Sequence, residues 1–180
     1  MKQIKRRLMQ AAIASALGGA LAGASAVMAP KAANAQAAYG SYVGIGAAFG
    51  LTEEAETGRG EGFGGVITGR YRFLRMPVSL RATAFVFGGN FTIVPTVSYD
   101  YPLSWNADIY LGAGVSFPTG DEDDPSPVGN ATSFVLQPGI DYMFPNSRLA
   151  LFGNAIIAFG GYREGGNTAI SLQTGVGYQF

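Results

Sequence analysis

The chain contains no cysteine and no histidine, and its 180 residues include a single tryptophan. Without thiol or imidazole it cannot build the usual zinc site, a Ser-His-Asp or Cys-His nucleophile, or a redox disulfide. Charge is scarce as well. Asp, Glu, Lys and Arg make up 13% of the residues, about half the share in an ordinary globular chain. A long run of large apolar residues is also missing. The uncharged stretch 8–30 is mostly Ala and Gly with some Leu and Ser, too poor in bulk to hold as a membrane helix, which needs about 20 predominantly apolar residues. What the chain has in quantity is glycine and aromatics, with 27 Gly, 12 Phe and 9 Tyr on a length that suits one domain.

The N-terminus reads as an export signal. Lys2, Lys5, Arg6 and Arg7 precede the small-residue stretch, and Ala33-Asn34-Ala35 and Ala35-Gln36-Ala37 offer cleavage after Ala35 or Ala37. The expected organisation is a cleavable secretory signal over 1–35 and one folded domain over 36–180. Arg6-Arg7 is a weak match to the twin-arginine route. Setting aside Lys2, Lys5, Arg6, Arg7 and Lys31 leaves seven Arg against twelve acids, so the mature part is near −5 and has no lysine.

From about Gln36 onward the sequence has almost no helical period and repeatedly alternates with period two, which predicts an all-β fold. Eight segments alternate: 39–51, 63–73, 78–87, 91–101, 107–117, 132–143, 149–159 and 168–180. One parity is apolar, as in Val43, Ile45, Ala47 and Phe49, or Ile109, Leu111, Ala113 and Val115. The other is small or polar, as in Gly44 and Gly46, or Thr68, Arg70 and Arg72. Segments of this length match the ~9–11 residues with which a tilted strand crosses a bilayer. Connectors 74–77, 102–106 and 144–147 are short, whereas 52–62, 118–131 and 160–167 are longer and polar; only Gly88-Gly89-Asn90 breaks the alternation.

Strand edges cannot stay unpaired in hydrocarbon, so eight antiparallel strands are expected to close into a transmembrane up-and-down β-barrel. The apolar parity is assigned to lipid because the other parity carries only six charges, too few to solvate a soluble exterior. On the apolar parity Phe49, Phe63, Phe91, Phe117, Phe134 and Phe159 fall at the long-loop end. Tyr39, Tyr71, Phe73, Tyr99, Tyr101, Tyr142, Tyr178 and Phe180 fall at the other, with Ile, Leu, Val and Ala between. Two aromatic girdles around an aliphatic band are what interfacial rings produce. Pro95 and Pro138 sit inside strands, where each deletes a ladder donor, and β-bulges are expected there.

These residues resemble the small eight-stranded outer-membrane barrels typified by the outer membrane protein A and X barrel domains, over nearly the whole mature chain. The last strand carries the most specific element. Gln173, Gly175, Tyr178 and Phe180 look like the terminal signal read by the bacterial barrel-assembly machinery. The resemblance implies residence in the bacterial outer membrane among its lipids, both mature termini periplasmic, ordinary secretion of an unfolded chain, and no cofactor.

Inside an eight-stranded barrel, side chains fill the space. The inward positions place Arg70, Arg72 and Arg81 against Asp100, Asp108 and Asp141, all in the periplasmic half. Two readings stand: a salt-bridged plug below a roomier, Gly-lined upper half, or charges that face water near the barrel mouth. The long loops carry nine acids against Arg59 and Arg163, near −7, which disfavours nucleic acid and repels lipopolysaccharide unless divalent cations bridge it. Asp121-Glu122-Asp123-Asp124 is a weak metal candidate, since it lacks calcium-loop spacing. Asn90-Phe91-Thr92 and Asn130-Ala131-Thr132 match the glycosylation pattern by accident in a bacterial setting, and the Gly-rich runs open no helix that would cradle phosphate. The expected function is a non-enzymatic envelope barrel with a structural or surface-interaction role; the alternative is a narrow porin-like channel for small solutes. A membrane hydrolase or acyltransferase would lack its histidine.

Overall fold

A computed structural model describes residues 40–52, 62–87, 90–119, 126–163 and 167–180. Eight strands follow one another as β1 (Tyr42–Gly50), β2 (Phe63–Phe73), β3 (Val78–Phe87), β4 (Asn90–Pro102), β5 (Ala107–Pro118), β6 (Ser133–Met143), β7 (Leu149–Phe159) and β8 (Ala169–Gln179). Each pairs antiparallel with the next, and β8 returns to β1 from Tyr42↔Gln179 to Gly50↔Ser171, closing the barrel. Strands β2, β3 and β7 coincide with the alternating segments. β1 is shorter: Gly40 lies in a turn and Ser41 precedes the first ladder pair, while Tyr39 lies outside the described residues.

Alternation sets the two faces. Ile45, Ile67, Leu80, Val97, Leu111, Leu151 and Val176 are exposed on the outer wall, as are Phe49, Phe63, Phe117, Phe134 and Phe159 toward the long connectors and Tyr71, Tyr99, Tyr101, Tyr142 and Tyr178 toward the short turns. An apolar wall of this height flanked by rings is stable only against lipid. The short turns are built from local chemistry. In the β6–β7 turn Pro145 precedes Asn146, whose positive φ of 58° and the Ser147 N–H bonded to the Phe144 carbonyl match a type II turn.

The two prolines do not bulge the sheet. Pro95 pairs with Ala82 of β3, and on its other side pairing lapses between Ile93↔Phe117 and Thr96↔Gly114. Pro138 pairs with Leu111 of β5, and pairing to β7 lapses between Leu136↔Ile157 and Gly139↔Asn154. Both strands skip the same number of residues, so the register is unchanged. An antiparallel residue directs its N–H and C=O to one neighbour only. A proline therefore loses a bond on one side, and the ladder opens locally instead of shifting.

Candidate functional site

The lumen is filled in three storeys, beginning with charge at the short-turn end. Arg70 on β2 and Arg81 on β3 extend into the barrel toward β4, β5 and β6. Arg70 Nη2 lies 3.0 Å from Asp100 and 2.9 Å from Asp108, and its Nη1 lies 2.9 Å from Asp141. Arg81 Nη2 lies 2.8 Å from Asp141 and 3.3 Å from Asp100. Arg72 reaches Asp108 at 2.5 Å and is the most open of the six, its side chain 22% exposed. The structure thus brings all six inward charges into one neutral cluster, five of them buried.

Removing such charges from water is costly unless the remaining lone pairs and protons are also satisfied. Neighbouring inward side chains do much of this, while Arg70 Nη1 is ion-paired to Asp141 without a hydrogen bond. Ser79 donates to Asp100 and accepts from Arg70 Nε at 3.2 Å. Ser98 donates to Asp100 at 2.8 Å and accepts from Arg81 Nε at 2.9 Å. Tyr42 donates to Asp141 at 2.8 Å, and the Arg81 guanidinium lies 3.3 Å from the centre of the Tyr110 ring, a cation–π stack. Sequence reasoning places Ser79, Ser98, Tyr42 and Tyr110 on the inner parity but assigns them no part in the cluster. The available signal is that Ser79 and Ser98 lie at ladder partners on β3 and β4, between the two arginines and Asp100.

Above the charges lies a band of amides and hydroxyls. Thr96 donates to Gln137 at 2.6 Å, Gln137 donates to Asn154 at 3.2 Å, and Gln173 donates to Ser171 at 2.6 Å. Toward the long connectors the lumen turns apolar: Val66, Phe85, Val94, Val135 and Ile156 are buried inside the barrel. The connectors add to this ceiling. Val128 and Tyr162 are buried, and the Tyr162 hydroxyl donates to the Thr52 carbonyl at 2.7 Å. Ala131 N–H bonds the Gly161 carbonyl at 2.8 Å, and Arg163 holds Asn130 through its backbone N–H at 2.9 Å and Nε at 3.1 Å. Gly129, at φ 88°, lies so close to the Gly161 backbone that no side chain fits there.

The expected roomy, Gly-lined upper half is therefore corrected. Apolar side chains, with the hydroxyls of Thr92, Ser116 and Ser133 among them, fill the upper lumen. Several inward glycines are small because rings lie against them: a methyl on Gly139 would come within 2.5 Å of the Tyr110 hydroxyl, one on Gly175 within 2.5 Å of Phe152, and one on Gly177 within 2.6 Å of Tyr42. Tyr42 and Phe152 stack at 6.0 Å on the wall facing the arginines. In the last strand Gln173 points inward, whereas Tyr178 and Phe180 are exposed on the outer wall. Asp121, Glu122, Asp123 and Asp124, and the acids Glu53, Glu54, Glu56, Glu61 and Glu164, lie outside the described residues.

These features define a class: an up-and-down antiparallel barrel whose lipid-facing wall suits a bilayer and whose interior is closed by its own side chains. The fold is that of the small eight-stranded outer-membrane barrels. Neisserial surface protein A shares it at a TM-score of 0.54 and 20% identity, over 78% of this chain and 97% of that one. Ail, the attachment invasion locus protein of Yersinia pestis, shares it at 0.51 and 14% identity, over 78% and 97%. A designed transmembrane β-barrel matches at 0.50 and 12% identity, over 78% and 96%. No protein-family model and no curated protein matches the chain.

Proposed function

We propose that the mature chain is a non-enzymatic, integral barrel of the bacterial outer membrane that acts through its surface loops and not through a pore. In this reading residues 1–35 are the export signal, both mature termini and the short turns face the periplasm, and the long connectors face outward. Gln173, Gly175, Tyr178 and Phe180 are the strand the assembly machinery reads. The observation that carries it is the doubly closed lumen, with the Arg70–Asp100–Asp108–Asp141–Arg81 cluster below and Phe85, Val94, Val135 and Tyr162 above. An interior filled with paired charge and packed rings leaves no continuous water path. The surface role rests on the acidic connectors, near −7, which suit a cationic partner or lipopolysaccharide bridged by divalent cations. The name of Ail, an attachment protein on the same fold, is in keeping with a role at the cell surface.

The test is single-channel conductance of the refolded mature protein in planar bilayers, with Arg81→Ala and Phe85→Ala alongside and heat-modifiable gel migration to establish folding. Silence in all three is expected, because each variant leaves the other storey closed. Steady openings of the unmodified barrel that grow in Arg81→Ala would put the narrow solute channel in place of this reading.

A further inference from the structure

Charge in the mature chain is sorted by height. Nine of its twelve acids lie in the long connectors and three in the lumen, so none is left for the short-turn end. That end carries Arg75 in the β2–β3 turn and Arg148 in the β6–β7 turn. Both are exposed, and among the described residues they are the only charged side chains of that end outside the lumen cluster. Beside them the turn tips are unexpectedly apolar. Leu74 and Met76 flank Arg75, and Leu103 and Trp105 occupy the β4–β5 turn with Trp105 95% exposed.

A polar turn would suffice if this end stood in water, whereas four large apolar side chains at the tips are unfavourable there. They extend the ring girdle of Tyr71, Tyr99, Tyr101, Tyr142 and Tyr178 past the strand ends at two of the short turns. The β4–β5 tip is also held in place: Ser104 Oγ accepts the Asn106 and Ala107 N–H groups, and Asn106 Nδ2 donates to the Met143 carbonyl at 3.1 Å. Trp105 is thus presented on an anchored turn. Indole favours the headgroup depth of a bilayer, and guanidinium at that depth pairs with lipid phosphate.

We infer that the short-turn end is a lipid-binding surface, seated in the headgroup layer of an anionic phospholipid leaflet with Arg75 and Arg148 on phosphates and Leu74, Met76, Leu103 and Trp105 at the acyl boundary. The inference rests on the bilayer-spanning reading above. It sets the barrel low in the membrane, with its short turns inside the leaflet.

Trp105 is the sole tryptophan, so its fluorescence reports this surface directly. The mature protein is refolded into vesicles of phosphatidylcholine and phosphatidylglycerol in which one lipid or the other carries bromine near the glycerol end of its chains. Brominated phosphatidylglycerol should quench Trp105 about twofold more per mole than brominated phosphatidylcholine, with the difference lost in Arg75→Ala/Arg148→Ala and reduced by salt. A Trp105→Phe/Val97→Trp variant, with its indole on the mid-belt wall, reports insertion independently. Equal quenching by the two lipids overturns the phosphate contact. Emission from Trp105 like that of indole in water, with Trp at 97 still quenched, overturns the whole surface and leaves the patch for a soluble protein. If neither tryptophan is quenched, the bilayer-spanning reading fails and this inference falls with it.

Discussion

The two ends of the lumen close by opposite means. At the short-turn end, Arg70, Arg72 and Arg81 meet Asp100, Asp108 and Asp141 with Ser79, Ser98 and Tyr42 adding hydrogen bonds. At the long-connector end, Phe85, Val66, Val94, Val135 and Ile156 are buried inside the barrel, with no buried charge beside them among the described residues. The difference teaches what each kind of filling tolerates. An ion cluster fixes its partners by direction, and loss of one member strands the others in a medium of low dielectric. An apolar core has no direction and loses only transfer energy and packing when trimmed.

The sharpest way to break the comparison is Arg70→Met. It removes a partner from Asp100, Asp108 and Asp141 together, and should lower stability by about 3–5 kcal/mol, read as a shift in urea unfolding of the lipid-refolded barrel by gel migration. Adding Asp108→Asn should restore part of the loss. Phe85→Ala at the other end should cost about 3 kcal/mol in the same assay. Because the two sites lie toward opposite ends of the lumen, the Arg70→Met/Phe85→Ala double variant should be additive within about 0.5 kcal/mol, and a clear departure would mean that the two storeys form one unit. Smaller is Gly175→Ala, about 1–3 kcal/mol, since its methyl would meet the Phe152 ring and the Ile45 carbonyl. Gly65→Ala, with nothing within 4 Å of the new methyl, should stay within about 0.5 kcal/mol and serves as its control. Tyr162→Phe loses the bond to Thr52 for about 1 kcal/mol and should show mainly as faster proteolysis at the long-connector end of the barrel.

Period-two alternation made the fold legible, because a barrel wall has one lipid face and one inner face and each strand must repeat the choice. Ile45, Ile67 and Val97 read outward for that reason. The lower lumen was legible in part: the inner parity names the six Arg and Asp, but whether they pair or face water near the mouth depends on depth and side-chain reach, which alternation does not carry. The upper lumen was not. Val66, Phe85, Val94, Val135 and Ile156 are apolar residues on the inner parity, and a strand with apolar residues on both sides gives alternation nothing to separate. Inward glycines were misread as open space because the rings that occupy it, Tyr110, Tyr42 and Phe152, come from the neighbouring strand, and the pairing register that sets a ring beside a glycine is not visible in either strand alone. The proline sites failed differently: sequence shows the lost donor but not which neighbour it faced, and that decides between an opened ladder and a bulge.

The lumen charges are also divided along the chain. All three guanidinium groups belong to the single hairpin β2–β3, while Asp100, Asp108 and Asp141 arrive one each on β4, β5 and β6. A nascent barrel that admitted its hairpins to the bilayer in sequence would have to hold three bare cations in hydrocarbon until three later strands arrived. In the bilayer-spanning reading such an intermediate is costly, and strands β2 to β6 are expected to cross together. On that reading the ion cluster couples the entry of five strands through the same side chains that later fill the lower lumen.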